Sequence, residues 1–315
     1  MPESQSRIQE VWPLSPLQEG LLFHGLYDAH SLDVYIEQHF FDLAGPVDPA
    51  RLRAAGQALL DRHANLRAGF TQTSSGQPVQ VVSRRVVLPW LEADLSGLVE
   101  PEAQAEAAAL ARQEREQRFD LAAPPLLRFV LARLGADRWR LVITSHHLLM
   151  DGWSMPVLAR ELLAFYRAGA DAALPRVTPY REYLAWLARQ DTDKAAAAWA
   201  QALAGLQEPT LLAPGINRAQ AAVRPQNLDT EVPGELAAAL ERHGRARSVT
   251  VNTVLQAAWG MVIGALTGRD DVVFGAVVAG RPPELPGVET MLGLFINTVP
   301  VRVQLDPAIT ARPPP

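Results

Sequence analysis

The chain has 315 residues, 48% of them hydrophobic, which is enough for one large domain or two of ordinary size with a substantial core. The formal net charge of −5 argues against a surface for nucleic acid or anionic membranes, because both require a clustered basic excess. Cysteine is absent, which excludes disulfides, thiolate nucleophiles and cysteine-based zinc sites. A polar N-terminus and the lack of a long apolar run support neither a signal peptide nor a membrane span, so we predict a cytoplasmic protein.

Helical and strand patterns alternate along the first half of the chain. Ser15 is a candidate N-cap, with Pro16 at the first helical position and leucines at helical spacing behind it. A strand pattern at 34–43 precedes a helix that Asp48 is expected to cap. The remaining patterns are a β-rich run at 79–90, a helix near 101–118, a hairpin around 135–137, and a helix at 156–167 with Ser154 as its cap.

The second half begins after a segment rich in glycine and proline. We therefore predict an N-terminal lobe of residues 1–175 and a C-terminal lobe of residues 176–315. A helix near 250–266 is apolar almost all round, which predicts a core helix covered on both sides. Two apolar strand patterns follow it, so the fold class is mixed α and β throughout.

The stretch "SHHLLMDGWS" at 145–154 places two adjacent histidines at the end of an apolar strand pattern. Consecutive strand residues face opposite sides, so only one of His146 and His147 can point into a given cleft, which disfavours a two-histidine metal site. A single neutral imidazole there can accept a proton near neutral pH. The residues alone leave open the alternative of two histidines satisfied by packing.

Asp151 and Gly152 follow in the same stretch. Asp151 either orients His147 or lies buried against an arginine, and since an unpaired buried carboxylate is costly, an arginine partner is expected. Gly152 is predicted to relieve a turn that a Cβ would crowd. The candidate arginine partners are Arg62, Arg67 and Arg281.

The stretch "SHHLLMDGWS" resembles the HHxxxDG signature of condensation domains from nonribosomal peptide synthetases, which are relatives of chloramphenicol acetyltransferase. Four other stretches resemble further motifs of that family in the same order: "PLSPLQEGLLFH", "RHANLRAGF", "RDDVVFGAVVAGRP" and "MLGLFINTVPVRV". The resemblance implies an α+β fold, a mixed α/β sandwich of two lobes in a V. Family members continue past the last motif, so we expect an incomplete second lobe with exposed apolar surface.

The resemblance also implies an acyltransferase of antibiotic biosynthesis that forms an amide bond. Upstream donor and downstream acceptor carrier proteins would deliver thioesters on phosphopantetheine arms through a tunnel between the lobes, beside an adenylation domain and with no cofactor bound directly. The opening motif is most similar to the subclass that joins a D-configured donor to an L-acceptor. The alternatives are an epimerisation domain, a coenzyme A-dependent acyltransferase and a catalytically incompetent carrier-docking fragment.

The candidate catalytic residues implied by the motif are His146, His147, Asp151 and Gly152. Of these, His147 would take the amine proton or position the amine, His146 would support the fold, and the Gly152 backbone would lie near the thioester. The candidate substrate-binding residues are Gln18, Trp153, Ser154 and Asn297. Trp153 is alternatively a packing residue beneath the loop, and Asn297 alternatively bonds to backbone.

Overall fold

The computed structural model describes residues 7–27, 33–169, 172–215 and 228–306. The α-helices are α1 (Pro16–Tyr27), α2 (Pro49–Arg62), α3 (Glu100–Glu116), α4 (Ser154–Ala168), α5 (Tyr180–Leu187), α6 (Thr192–Ala202), α7 (Gly234–Ala246) and α8 (Val251–Thr267). The strands are β1 (Ile8–Trp12), β2 (Ile36–Ala44), β3 (Ala68–Gln72), β4 (Pro78–Ser83), β5 (Trp90–Asp94), β6 (Leu127–Arg133), β7 (Arg138–His146), β8 (Asp271–Val278) and β9 (Asn297–Gln304).

Two helix starts follow directly from the sequence. At α1 the Ser15 hydroxyl accepts a hydrogen bond from the Gln18 backbone N–H at 3.2 Å, and the Gln18 side-chain oxygen accepts one from the Ser15 N–H at 3.0 Å. This reciprocal pair is a capping box. At α2 the Asp48 carboxylate accepts from the Arg51 N–H at 3.1 Å. The predicted caps Ser15 and Asp48 are therefore confirmed.

The chain divides into two compact units. The first contains the residues up to Gln190 together with Ala279–Asn297, and the second contains the intervening residues and those from Thr298 on. These bounds differ from the predicted partition at residue 175. The difference has a physical cause within the first unit, because the buried Tyr180 of α5 donates its hydroxyl to the Leu294 carbonyl at 2.7 Å.

The first unit contains two sheets. One has the strand order β1-β4-β3 with antiparallel neighbours, and the other has the order β2-β7-β6-β5, in which only β5 and β6 are parallel. A single hydrophobic cluster joins buried residues of α2, β6, β7 and α4, among them Leu59, Phe129, Ile143 and Leu158. The predicted hairpin is formed by β6 and β7. Strand β7 is also hydrogen-bonded to β2, so backbone bonds on both sides hold its C-terminal end in place.

The second unit contains α6 to α8 and the paired strands β8 and β9. The prediction that α8 is covered on both sides is wrong. One face is buried where Gly260 lies against Val303, while the opposite face is exposed. The exposed apolar residues of α8 and β8 include Leu255, Trp259, Met261, Leu266 and Val277. No single described helix is long and apolar enough to cross a membrane. Helices α7 and α8 together have the required length and composition, but the pair is bent by 104°.

Candidate active site

The two histidines lie where β7 ends and the loop to α4 begins. The antiparallel register of β2 and β7 pairs Ile36 with His146 and Glu37 with Ser145. Because side chains alternate across a strand, His146 and His147 face opposite sides of the sheet. His146 is fully buried, whereas the His147 side chain is 19% exposed. Only His147 is therefore accessible to a substrate.

The His147 ring has a defined tautomer. Its Nδ1 lies 2.9 Å from the Met150 carbonyl oxygen, and a carbonyl can only accept, so Nδ1 carries the proton. In the neutral ring Nε2 then holds the lone pair. The backbone is fixed as well, since the His147 N–H donates to the Tyr35 carbonyl at 2.9 Å. The loop thus presents a partly exposed imidazole whose Nε2 can accept a proton.

His146 is held by the fold on the other side of the sheet. Its Nδ1 accepts from the Leu148 N–H at 3.1 Å, and its Nε2 faces the Asp33 carboxylate at 3.4 Å. Burial alone would raise the pKa of Asp33, but the adjacent His146 ring, the Tyr35 N–H at 3.0 Å and the more distant Arg118 more than offset it, so that pKa is lowered. Sequence reasoning missed Asp33, which has no motif signal of its own.

Asp151 anchors the loop through both carboxylate oxygens. Oδ1 accepts from the backbone N–H and the hydroxyl of Ser154, each at 3.0 Å. Oδ2 accepts from the N–H groups of Phe295 at 2.9 Å and Ile296 at 3.2 Å. The Asp151 N–H donates in turn to the Gly293 carbonyl at 3.1 Å. Asp151 is buried and saturated with donors, so it positions the loop and does not contact a substrate.

Arg281 is the arginine that pairs with Asp151. Its Nη2 lies 3.5 Å from Asp151 Oδ1, and its guanidinium carbon lies 3.9 Å from the centre of the Phe295 ring. It also donates to the Met291 carbonyl at 3.1 Å and to the Val288 carbonyl. Burial lowers the pKa of Arg281, and the charge of Asp151 acts in the opposite direction. The buried pair is thus surrounded by further hydrogen bonds, as such pairs require.

The other two candidate arginines are not partners of Asp151, but the structural ion pair predicted for Arg62 is present with a different carboxylate. Arg62, at the end of α2, places its Nε 3.0 Å from Glu161 Oε2. Arg67 is buried and donates to the Leu60 carbonyl at 2.8 Å and to neighbouring acceptors on β1 and β4. The hydrogen bonds of both side chains are therefore made to groups other than Asp151. Which arginine lies close to Asp151 cannot be inferred from the spacing of these residues in the sequence.

Four further predictions for the loop are wrong. The buried Ser154 hydroxyl donates to Asp151 and accepts from the Gly293 N–H and from Arg281, so it does not bind substrate. Ser154 is also not the cap of α4 but its first residue, and its N–H donates to the Asp151 carboxylate. A Cβ at Gly152 would meet no atom within 4 Å, so no crowding requires glycine there. Trp153 does not pack beneath the loop, because it is 55% exposed. Its contact with a substrate remains a prediction.

Gln18 was expected at a substrate wall, and its position contradicts this. The residue is buried, its amide donates to the Leu148 carbonyl at 2.9 Å, and its oxygen accepts from the Gln80 amide at 3.2 Å as well as from Ser15. Gln18 therefore ties the start of α1 to the histidine loop. Asn297, the first residue of β9, is exposed, and its role in binding substrate remains a prediction.

Gly280 allows the segment that carries Arg281 to approach the site. It adopts a φ of +57°, and a Cβ there would overlap the Phe295 carbonyl oxygen. That carbonyl cannot retreat easily, because the Phe295 N–H is bonded to Asp151. We expect Gly280→Ala to lower the free energy of unfolding by about 2–3 kcal/mol, since the overlap adds to the backbone strain, as measured by urea denaturation.

Gly76→Ala is the matched control for this substitution. Gly76 has a φ of +82°, but a Cβ there would meet nothing within 4 Å. The control therefore carries backbone strain alone, about 1 kcal/mol. Equal losses in the two variants would show that the contact with Phe295 has no energetic weight.

The chain is similar in sequence to condensation domains of known proteins. The family model described as "Condensation domain" matches residues 8–312. One of the linear gramicidin synthase proteins of Brevibacillus parabrevis is 39% identical over 311 residues, covering 96% of this chain. A mycosubtilin synthase protein of Bacillus subtilis is 37% identical over 308 residues, also covering 96% of this chain. The chain spans only 6% and 12% of the lengths of these two relatives.

Solved structures share the fold. The first condensation domain of the calcium-dependent antibiotic synthetase, in complex with a substrate analogue, aligns with a TM-score of 0.76 at 22% identity, over 95% of this chain and 70% of that one. The starter condensation domain of rhizomide synthetase aligns with a TM-score of 0.71 at 22% identity, over 95% of this chain and 68% of that one. At this identity the two alignments establish the mixed α/β architecture.

Proposed function

This chain belongs to the condensation-domain family, and we propose that it forms an amide bond between a donor acyl thioester and the amine of an acceptor aminoacyl thioester. The observation that carries the proposal is the state of His147. With the proton of Nδ1 directed at the Met150 carbonyl, Nε2 of a partly exposed ring is available as a base. The loop that holds it is fixed by buried contacts of Gln18 and Asp151.

The reaction requires a proton transfer that His147 can supply. The acceptor nitrogen attacks the donor carbonyl carbon, a C–N bond forms, and the C–S bond of the donor thioester breaks. The proton lost by the nitrogen passes to His147 Nε2 and from there to the departing thiolate, so that an amide and a thiol result. The amine attacks in its neutral form, after its ammonium proton has passed to solvent, and its nitrogen becomes cationic as the C–N bond forms. The proton lost by that cationic nitrogen is the one that His147 accepts.

The test is an assay with loaded donor and acceptor carrier proteins, in which mass spectrometry measures the dipeptidyl thioester. We expect His147→Ala to lower the rate by on the order of 10²-fold, since general-base catalysis contributes that much. The exposed His243 of α7 supplies the matched control, His243→Ala, which should retain the wild-type rate. A His147→Ala variant as active as the wild type would contradict the proposal.

The same assay separates the alternatives. Carrier binding without any product would favour a docking fragment, and exchange of the donor α-hydrogen without condensation would favour epimerisation. Product from acyl-coenzyme A in place of the loaded donor carrier would favour a coenzyme A-dependent acyltransferase. Donors of D and L configuration, compared side by side, test the subclass.

We also propose a substrate subclass, carrier partners and a location. The opening motif supports a D-configured donor, and the family supports an upstream donor carrier, a downstream acceptor carrier and an adjacent adenylation domain. The relatives are components of peptide synthases, and this chain spans a small part of each. A cytoplasmic location agrees with the use of such carriers.

A further inference from the structure

Glu37 of β2 lies beside the ring of His147. In the β2–β7 register Glu37 pairs with Ser145, and His147 is two residues farther along the same chain direction. Residues two apart share a face of the sheet, so Glu37 and His147 are diagonal neighbours on one face. Glu37 Oε2 lies 3.6 Å from His147 Nδ1, the nitrogen that also donates to the Met150 carbonyl.

A carboxylate at this distance acts on the protonated form of the ring. When His147 takes a proton at Nε2, the imidazolium carries a positive charge next to a fixed negative one. Both groups are only partly exposed, 19% for the histidine and 35% for the glutamate side chain, so water does not fully screen the attraction. The carboxylate also disfavours the tautomer in which Nδ1 would present its lone pair to Glu37.

The other ionisable groups near the loop are directed elsewhere. The Asp151 carboxylate is occupied by its donors and by Arg281, and Asp33 faces His146 on the opposite side of the sheet. Among the described residues, Glu37 is the only carboxylate within 4.0 Å of a His147 nitrogen. Of the residues that the structure describes, Glu37 therefore carries the negative charge that lies nearest to the His147 ring.

We propose that Glu37 is a positioning residue for the condensation reaction, which orients the His147 ring through Nδ1 and stabilises the imidazolium formed when Nε2 takes the amine proton. This inference rests on the proposed function, because it assigns His147 the role of base. It adds a residue that lies outside the five motifs and more than a hundred residues upstream of the loop.

The test substitution is Glu37→Gln, which keeps the size of the side chain and removes its charge. We expect kcat to fall by on the order of 10-fold, with little change in KM for the acceptor. Without the carboxylate the imidazolium formed during the reaction loses its neighbouring negative charge, so proton transfer to Nε2 becomes slower. The loss should therefore appear in kcat and leave the binding of the acceptor unchanged.

Glu106→Gln on α3 is the matched control, since Glu106 is exposed and the same charge is removed there. Glu37→Asp should recover part of the lost rate. A Glu37→Gln variant that raises KM as much as it lowers kcat, or whose loss Glu37→Asp does not partly restore, would overturn the inference in favour of a merely structural role. If His147→Ala abolishes product and Glu37→Gln has no effect, this inference fails and the proposed function stands. If His147→Ala remains active, both fail.

Discussion

Replacing Asp151 with asparagine is expected to lower the free energy of unfolding by about 3–5 kcal/mol, the range seen when one member of a buried ion pair is removed. The asparagine amide can accept with its oxygen only, so its NH2 group would face either the Ser154 donors or the N–H groups of Phe295 and Ile296. Two buried donors would thereby lose their acceptor, and the Arg281 guanidinium would lose its counter-charge. Urea denaturation followed by tryptophan fluorescence measures the effect.

Asp48→Asn is the matched control for that substitution. The Asp48 carboxylate also accepts from a backbone N–H three residues ahead, at 3.1 Å, but this cap is exposed and has no buried arginine. Asparagine is as good an N-cap as aspartate, so the change should stay within about 0.5 kcal/mol. Similar losses for the two variants would mean that the bonds of Asp151 to the segment after Met291 contribute little.

The elements that were predicted well are those whose signals are local. "SPLQ" contains both halves of a capping box, and Asp48 precedes a proline-led helix, so the starts of α1 and α2 follow from residues within one turn. The β6–β7 hairpin follows from a short turn between two apolar runs. Separation of the two imidazoles follows from strand alternation alone.

The parts that were not predicted depend on long-range pairing. Glu37 and His147 are brought together by the register of two strands a hundred residues apart, and the alternation within each strand does not set that register. For the same reason, the sequence could not show which of Arg62, Arg67 and Arg281 pairs with Asp151. Trp153, for which packing beneath the loop was a predicted alternative, is exposed, whereas the next residue, Ser154, is the one bonded to Asp151.

The residues of the "RHANLR" stretch contact α4, the helix that follows the histidine loop, and these contacts explain what the stretch does in the fold. His63 Nε2 lies 2.6 Å from Glu161 Oε2, and Arg62 Nε lies 3.0 Å from the same oxygen. Asn65 donates its amide to the Leu149 carbonyl at 3.3 Å. The end of α2 and the residues directly after it are therefore bonded both to α4 and to the loop between the histidines and Asp151. Glu161, which sequence reasoning did not single out, is the acceptor that this arrangement needs.

Glu161→Gln is accordingly expected to lower the free energy of unfolding by about 3 kcal/mol at neutral pH, because the buried His63 and the partly buried Arg62 lose a charged acceptor. Burial alone would raise the pKa of Glu161, but the hydrogen bonds and charges of His63 and Arg62 more than offset it, so that pKa lies below its ordinary 4.5. A lowered folded-state pKa means that this stabilisation is present above pH 4.5 and is lost as pH falls through the folded value. The difference between wild type and variant in urea denaturation should therefore be largest at neutral pH and shrink below pH 4.5.

Glu241→Gln, which removes an exposed partner of Arg245 on α7, is the control and should change stability by no more than about 0.5 kcal/mol at either pH. A Glu161→Gln deficit that stays constant into acid would show that the carboxylate charge is not what joins α2 to α4.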